Sequence, residues 1–276
     1  MKSLYDVIKE RILVLDGAMG TMIQAYNLKE EDFRGERFKN YPTPLKGNND
    51  LLSITQPQII SEIHKKYLDS GSDILETNTF SSNSISMADY NMEDLVYELN
   101  FESAKIAKKL TDEYSIKDPS KPRFVAGSIG PTNKTASMSP DVSDPGFRAI
   151  TFDELVISYT EQIKGLVDGG VDILLLETIF DTLNAKAALF AIDTYMENNK
   201  LDIPLMVSGT ITDQSGRTLS GQTVNAFMIS VSHMPIFSIG FNCALGADQL
   251  MPYVKRLSDK SRFYVSAHPN AGLPNA

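Results

Sequence analysis

The sequence predicts a (β/α)₈ barrel that lacks its last strand–helix unit. Short apolar runs alternate with longer amphipathic patterns along the whole chain, and this favours a barrel over an open doubly wound sheet. One strand–helix unit also recurs within the chain, since SGSDILETNTF and GGVDILLLETIF share glycine, aspartate, an apolar run and then Glu-Thr. We therefore expect residues 1–276 to form a single barrel domain that is incomplete at its C-terminus.

Seven apolar runs are predicted to be the strands. They lack the strict alternation of half-buried strands, which is typical of parallel strands covered on both faces. Closure of a barrel needs an eighth strand, so we expect open edges on the first and seventh strands unless another segment covers them. The runs are residues 11–17, 73–80, 124–130, 171–179, 204–211, 236–244 and 262–269.

Helices are predicted between these runs. Apolar residues recur at a spacing near 3.6 over residues 57–69 and 153–168, which predicts two amphipathic helices. Gly71 and the pair Gly169–Gly170 follow directly, and we expect them to form the C-terminal caps.

The composition restricts the class of partner. A formal net charge of -9 argues against nucleic acid and against an anionic membrane surface, because both favour concentrated Lys and Arg. No apolar run approaches the ~18 residues of a membrane span. A single cysteine cannot form an internal disulfide, and the N-terminus lacks a signal-peptide pattern, so we expect a cytoplasmic protein with a small molecule or another protein as partner.

Polar residues collect where the predicted strands end. Active sites of barrel enzymes assemble at this rim. For Ser128, Thr210 and His268 taken singly, a turn is the favoured explanation, whereas Glu177 follows four apolar residues and needs either a structural ion pair or a ligand amine. The rim residues are Asp16, Glu76, Asn78, Ser128, Glu177, Thr210, Asn242, Cys243 and His268.

Cys243 and the histidines are the other candidates. A lone cysteine is most often a small buried apolar residue, and its rim position adds the alternative of a functional thiolate. His64, His233 and His268 show no metal-ligand spacing, and we expect His64 to be solvated on the helix over residues 57–69. Common phosphate, metalloprotease and serine-hydrolase signatures are missing. The residues alone therefore indicate a barrel enzyme with an acidic rim and a candidate thiolate.

Seven motifs in order resemble the homocysteine-binding domain of cobalamin-dependent methionine synthases, within the homocysteine S-methyltransferase family. The resemblance extends over nearly the whole chain. The motifs are LVLDGAMGTMIQ, ETNTFSSNSISMADY, GPTNKTASMSPDV, LLLETIFDTLNAKAA, SGTITDQSGRTLSGQT, GFNCALG and AHPNAGLPNA.

This resemblance implies a 5-methyltetrahydrofolate–homocysteine methyltransferase of methionine biosynthesis. It implies Zn²⁺ held by three cysteine thiolates, with the homocysteine sulfur as fourth ligand and methylcobalamin carried by another domain. Cys243 matches the first thiolate as catalytic and metal-binding residue, whereas the sequence has no match to the adjacent Cys-Cys pair. We expect this chain to be inactive by itself, with downstream folate- and cobalamin-binding domains as its partners.

The resemblance also implies the substrate site. Asp16 and Glu177 match the residues that hold the amino acid end of homocysteine, and backbone amides near Gly17, Ala18 and Ser128 are candidates for its carboxylate. Asn78 and Asn242 complete the implied substrate-binding residues.

Two alternatives stay open. One is a stand-alone methyltransferase that uses betaine or S-methylmethionine, and the other is a non-catalytic homocysteine-binding module without zinc. The stretches MADYNMEDL and GRTLSGQT look more like the cobalamin-dependent type.

Overall fold

The computed structural model describes residues 2–212 and 215–271 of the chain. Two residues of SGTITDQSGRTLSGQT and the last five of AHPNAGLPNA lie outside the described residues. The chain divides into two compact units. Unit 1 comprises Met1–Ser128 and Glu161–Ile173, and unit 2 comprises Ile129–Thr160 and Leu174–Ala276.

Six strands are present in the described residues. Every strand pair within a unit is parallel, and strands alternate with helices in the pattern of a partial (β/α)₈ barrel, which confirms the predicted fold class. β2 is buried over its whole length, as the nearly continuous apolar sequence predicts. The strands are β1 Ile74–Glu76, β2 Phe124–Ile129, β3 Ile173–Ile179, β4 Leu205–Gly209, β5 Ser238–Gly246 and β6 Tyr264–Asn270.

Eleven α-helices occur in the described residues, together with 3₁₀ turns at Ala88–Tyr90 and Glu93–Leu95. None of the helices in these residues is long and apolar enough to span a membrane. The helices are α1 Leu4–Glu10, α2 Met19–Gln24, α3 Glu30–Arg34, α4 Leu52–Thr55, α5 Pro57–Ser70, α6 Ser84–Met87, α7 Val96–Lys117, α8 Phe152–Asp168, α9 Thr182–Asn199, α10 Val224–Val231 and α11 Ala247–Lys260.

The strand predicted over residues 11–17 is wrong. Only an isolated parallel bridge forms there, between Leu15 and Ile74. Ile12 and Val14 are 86% and 53% exposed, so this apolar run is not covered on both faces. The carboxylate of Asp73 accepts the Val14 N–H at 2.9 Å, and the backbone bonds to β1 are confined to Val14 and Asp16, with Ile74 N–H donating to Val14 O at 3.1 Å and Asp16 N–H donating to Ile74 O at 2.9 Å.

The predicted helix ends are confirmed at both glycine positions. Gly71 follows α5 with φ 108°, and Gly170 follows α8 with φ 94°, both in the left-handed region that favours glycine. Gly169 has a second reason to be glycine, because a Cβ there would lie 2.5 Å from the Cβ of Ala104 on α7. The glycine pair therefore ends α8 and lets this end approach α7 closely within unit 1.

A long loop of unit 2 connects β2 to α8 over residues 130–151. The first turn of α9 holds its early part. Asp181 caps α9 by accepting the Leu183 N–H at 2.8 Å, and it also accepts the Ser137 hydroxyl at 2.5 Å. Asn184 accepts the Ala136 N–H at 2.9 Å. The helix end thus orders the loop that leaves the strand-end face.

Candidate active site

Glu177 lies in a β-bulge near the end of β3. Two residues of β3, Glu177 and Thr178, stand where β4 has only Ser208, and Thr178 adopts a left-handed φ of 55°. Bulges redirect side chains and are common beside active sites. The flanking pairs are Leu176 with Val207 and Ile179 with Gly209.

Cys243 lies in a second bulge, near the end of β5. Residues 243–245 of β5 stand where β6 has one residue between His268 and Asn270. Cys243 and Ala244 are both left-handed, with φ of 59° and 57°. The Cys243 thiol is exposed, so the alternative of a buried apolar cysteine is wrong. The bulge directs the thiol outward from a strand that is otherwise buried up to Asn242.

Asn242 connects the two bulges. Its Oδ1 accepts the Thr178 N–H at 3.0 Å and the Ser208 hydroxyl at 2.6 Å. Its Nδ2 donates to Thr178 Oγ1 at 2.7 Å and to Cys243 Sγ at 3.1 Å. The amide is 1% exposed, so these contacts are made away from solvent.

The carboxylate of Glu177 joins the same network. Thr178 Oγ1 donates to Glu177 Oε2 at 3.3 Å, while it accepts the Asn242 amide. A continuous series of hydrogen bonds therefore runs from the Glu177 carboxylate through Thr178 and Asn242 to the Cys243 sulfur. In unit 2, one hydrogen-bond network thus connects an acidic group and a thiol.

A small pocket opens beside Glu177. Its cavity volume is about 10 Å³, which is room for about one water molecule. Glu177 is only 8% exposed, and an ionised carboxylate with so little water favours a cationic partner. The lining residues are Pro131, Tyr159, Leu176, Glu177, Ile179, Phe180, Asp181, Asn184 and Ala185.

Asp16 lies in unit 1 and is the carboxylate that the resemblance matches to the substrate site there. Its side chain is 2% exposed, and its Oδ1 accepts the Glu76 N–H at 3.1 Å. Tyr67 lies close by, and burial, followed by the charges of Asp16 and Glu76, raises the pKa of its hydroxyl. The Tyr67 ring would lie 3.1 Å from a Cβ at Gly17, so the turn after Asp16 fits closely against this tyrosine.

The remaining predicted substrate residues of unit 1 differ in whether they are exposed or already hydrogen-bonded within the unit. Gly17 and Ala18 are exposed ahead of α2. The Asn78 amide donates to Asn49 O at 2.8 Å and to Ser53 Oγ at 3.2 Å. The backbone N–H of Ser128 donates to Thr77 Oγ1 at 2.9 Å. Asn78 and the Ser128 amide therefore already have partners inside unit 1.

Each unit brings together part of the predicted site. Glu177, Asn242 and Cys243 share one network in unit 2, while Asp16 lies with the other predicted residues in unit 1. The meeting of Asp16 with Glu177 at one substrate stays a prediction.

Thr178 and Ser208 belong to the hydrogen-bonded network but are not among the residues predicted from the sequence. A signal for Thr178 existed, because Glu-Thr recurs in both copies of the repeated unit. In unit 1 the matching Thr77 also binds a neighbouring strand, through the Ser128 N–H.

The prediction that His64 is solvated is wrong. His64 is completely buried. It follows Ile60 by four residues, so it lies on the apolar face of α5, and the spacing contained this signal. Neither ring nitrogen has a hydrogen-bond partner among residues 2–212 and 215–271, and Nδ1 lies 3.9 Å from Asp16 Oδ2. Burial lowers the pKa of His64 to about 4.

Burial of His64 predicts a loss of stability in mild acid. The folded chain keeps the imidazole neutral, whereas the unfolded chain takes up a proton below pH ~6.5, so the free energy of unfolding falls as the pH drops toward about 4. Between pH 7 and pH 5 this amounts to about 2 kcal/mol. Burial also lowers the pKa of His268 to about 4 and adds a similar contribution.

Urea unfolding at pH 7 and pH 5 measures this effect. We expect His64→Gln to lose much of the pH dependence that comes from the buried histidines, and His233→Gln, at an exposed histidine, is the matched control. Equal pH dependence in wild type and His64→Gln would show that His64 takes up its proton in the folded chain.

The described residues do not provide the zinc site that the resemblance implies. A thiolate site needs three protein ligands before substrate binds. Cys243 is the only cysteine of the chain, and residues 2–212 and 215–271 place no three His, Cys, Asp or Glu side chains so that they could hold a metal ion. The residues present therefore do not fit a thiolate-bound zinc ion.

The parallel strands form a partial barrel, and an acidic group and a thiol lie at two of its bulged strand ends. Barrel enzymes carry their active sites at this position. The sequence model described as homocysteine S-methyltransferase matches residues 13–276, so the chain belongs to the homocysteine S-methyltransferase family. Homocysteine is the substrate of this family, and methyl transfer is its activity.

Solved structures of the homocysteine methyltransferase MmuM from Escherichia coli share the fold. The metallated form has a TM-score of 0.76 at 19% identity, over 98% of this chain and 87% of that one. The oxidised form gives 0.76 and 19%, over 99% and 87%. The apo form gives 0.71 and 20%, over 98% and 86%.

Proposed function

We propose that this chain is the homocysteine-binding module of a methionine synthase of the cobalamin-dependent type. It would bind homocysteine and orient its sulfur toward methylcobalamin carried by another domain. The hydrogen-bonded series from Glu177 to Cys243 carries this proposal, since it connects an acidic group and a thiol within one network. The seven family motifs support the choice of methionine synthase.

In this proposal Glu177 binds the ammonium group of homocysteine. A carboxylate that is only 8% exposed has lost most of its contact with water, and a bound cation would compensate for that loss. Asp16 is proposed as the second carboxylate, because two negative charges suit one ammonium group. The exposed amides at Gly17 and Ala18 are the proposed donors to the substrate carboxylate.

Cys243 marks the sulfur end of the proposed site. In the family pattern it is a zinc ligand, and zinc would deprotonate the substrate thiol. Because the residues present do not fit the complete zinc site, the steps that we assign to this chain are binding and orientation.

The second candidate is a stand-alone homocysteine methyltransferase with betaine or S-methylmethionine as methyl donor. The solved structures that share the fold carry the name homocysteine methyltransferase, and this supports the second candidate. The parent gene separates the two candidates, because pterin- and cobalamin-binding domains downstream would identify methionine synthase.

Calorimetric titration of the chain with L-homocysteine under reducing conditions tests substrate binding. We expect saturable binding that is tighter than that of L-homoserine, because removing a hydroxyl group from water costs more free energy than removing a thiol. L-Homoserine is the matched control, since it keeps the ammonium and carboxylate groups. Equal affinity for both ligands would contradict a sulfur-specific site, and no heat with either would contradict the proposed function.

A further inference from the structure

We propose that His64 is a positioning residue that donates a hydrogen bond to the Asp16 carboxylate and holds it in place for the ammonium group of homocysteine. This inference rests on the proposed function, in which Asp16 contacts the substrate and His64 does not. Both residues belong to unit 1, and the side chains of His64 and Asp16 are 0% and 2% exposed. The structure thus places a buried imidazole beside a proposed substrate-binding group.

The apolar core does not use the polar atoms of the His64 ring. Neither ring nitrogen has a hydrogen-bond partner in the part of the chain that the structure describes. Buried polar atoms in native proteins are hydrogen-bonded with few exceptions, and each exception needs an explanation. The preceding residues Ile60 and Ile63 on α5 are completely buried, so an aliphatic side chain would pack there without burying a polar atom. The histidine N–H therefore needs a partner that this core does not supply.

Asp16 is the acceptor closest to providing that partner. His64 Nδ1 lies 3.9 Å from Asp16 Oδ2, which is about 1 Å longer than a hydrogen bond. The other oxygen, Oδ1, accepts the Glu76 N–H at 3.1 Å, so the carboxylate is already anchored on one side. Hydrogen bonds at active sites are often long before substrate binds and tighten in the complex. A movement of about 1 Å by Oδ2 would close the contact with Nδ1.

A second residue of α5 packs against the turn that follows Asp16. Tyr67 follows His64 by three residues, so the two side chains occupy neighbouring positions on the helix surface. The Tyr67 hydroxyl donates to Ala18 O at 3.4 Å, and its ring would lie 3.1 Å from a Cβ at Gly17. The backbone after Asp16 is therefore held against α5, and this keeps the carboxylate next to His64.

A neutral imidazole suits this role. Burial lowers the pKa of His64 to about 4, so at pH 7 the ring is neutral and carries one N–H. A neutral donor orients the carboxylate without cancelling its charge, and the charge stays available to the ammonium group. The hydrogen bond that a ring makes decides which nitrogen is protonated. We therefore expect the proton on Nδ1, the nitrogen that lies 3.9 Å from Asp16 Oδ2.

Substitutions that keep or remove a donor at the Nδ1 position test the proposal. His64→Asn places an amide N–H near the position of Nδ1, whereas His64→Leu fills the site with an aliphatic side chain and removes every donor. In calorimetric titrations with L-homocysteine we expect His64→Leu to bind about tenfold more weakly than wild type, as for the loss of a hydrogen bond to a charged group. His64→Asn should bind within about threefold of wild type.

Stability separates a positioning role from a structural one. His64→Leu buries no polar atom without a partner, so we expect its melting temperature to equal or exceed that of wild type while its affinity falls. Ile60→Val is the matched control, because it removes a methyl group from a completely buried residue of α5. It should lower the melting temperature and bind homocysteine within about twofold of wild type.

Three results of these titrations would overturn the proposal. The first is wild-type affinity in His64→Leu. The second is equal weakening in His64→Asn and His64→Leu, because the position of the donor would then have no effect. The third is a loss of affinity in Ile60→Val as large as that in His64→Leu, which would assign the effect to stability.

Nitrogen-15 NMR of the imidazole rings gives a readout that does not depend on affinity. The chemical shifts distinguish a protonated Nδ1 from a protonated Nε2, and the signals missing from His64→Asn identify those of His64. A protonated Nδ1 without homocysteine binding would support the contact with Asp16 and reject the proposed substrate. Normal homocysteine binding with the proton on Nε2 would overturn the positioning role and leave the proposed function standing.

Discussion

Glu177→Gln is expected to weaken homocysteine binding by about tenfold to a hundredfold. The carboxylate is almost completely buried beside a small pocket, and the loss of a charge-assisted contact with an ammonium group costs about 1.5–3 kcal/mol. Asp16→Asn should have a similar effect if both carboxylates hold the same ammonium group. Calorimetric titration with L-homocysteine measures both variants.

Asp193→Asn serves as the control for charge loss, because Asp193 is exposed on α9 and is not one of the two proposed substrate-binding carboxylates. Circular dichroism checks that each variant is folded. Unchanged titrations of Glu177→Gln would remove this residue from the substrate site. A loss of affinity in Asp193→Asn as well would indicate a general effect of net charge.

Zinc binding by the 276-residue chain is expected to be at least about a thousandfold weaker than binding by a complete three-cysteine site. Complete structural zinc sites reach about 10–16 kcal/mol at neutral pH, and a chain with one thiolate lacks most of that ligand set. Equilibrium dialysis against micromolar Zn²⁺, followed by atomic emission, should find far less than one equivalent bound.

Cys243→Ser is the informative comparison, since it removes the only thiol. We expect its zinc content to be close to that of wild type, because one weak ligand adds little. Retention of one zinc ion per monomer by the wild-type chain would mean that other residues complete a site, and that the ligand set implied by the family is incomplete for this protein.

The strands after residue 70 and the strand-end position of the candidate residues could be predicted from the sequence. Runs such as ILLLETI are apolar on both faces, and the chain direction then places Glu177 at the end of its strand. The segment 11–17 has the same apolar character, yet whether it forms a strand depends on which groups lie beside it to accept and donate hydrogen bonds. There the Asp73 side chain binds the Val14 N–H, and backbone pairing with β1 is confined to Val14 and Asp16.

The bulges could not be predicted from residue types. Left-handed backbone favours glycine and asparagine, whereas threonine, cysteine and alanine occupy it here. Their conformation depends on contacts between strands that are distant in sequence, above all those of Asn242 with Thr178. His64 differs, because its spacing from Ile60 already indicated the buried face.

The three left-handed residues also set a limit on how far this protein can be stabilised. Each non-glycine residue in this region costs of order 1–3 kcal/mol, and a whole domain is stable by only about 5–15 kcal/mol. Glycine at Ala244 or Thr178 would relieve that strain and is an obvious choice for raising thermal tolerance. The same change would make the backbone of the segment that carries the thiol more flexible. Thermostability engineering should therefore change residues remote from these bulges, because a gain made within them would come with a loss of order in the segment that carries the thiol.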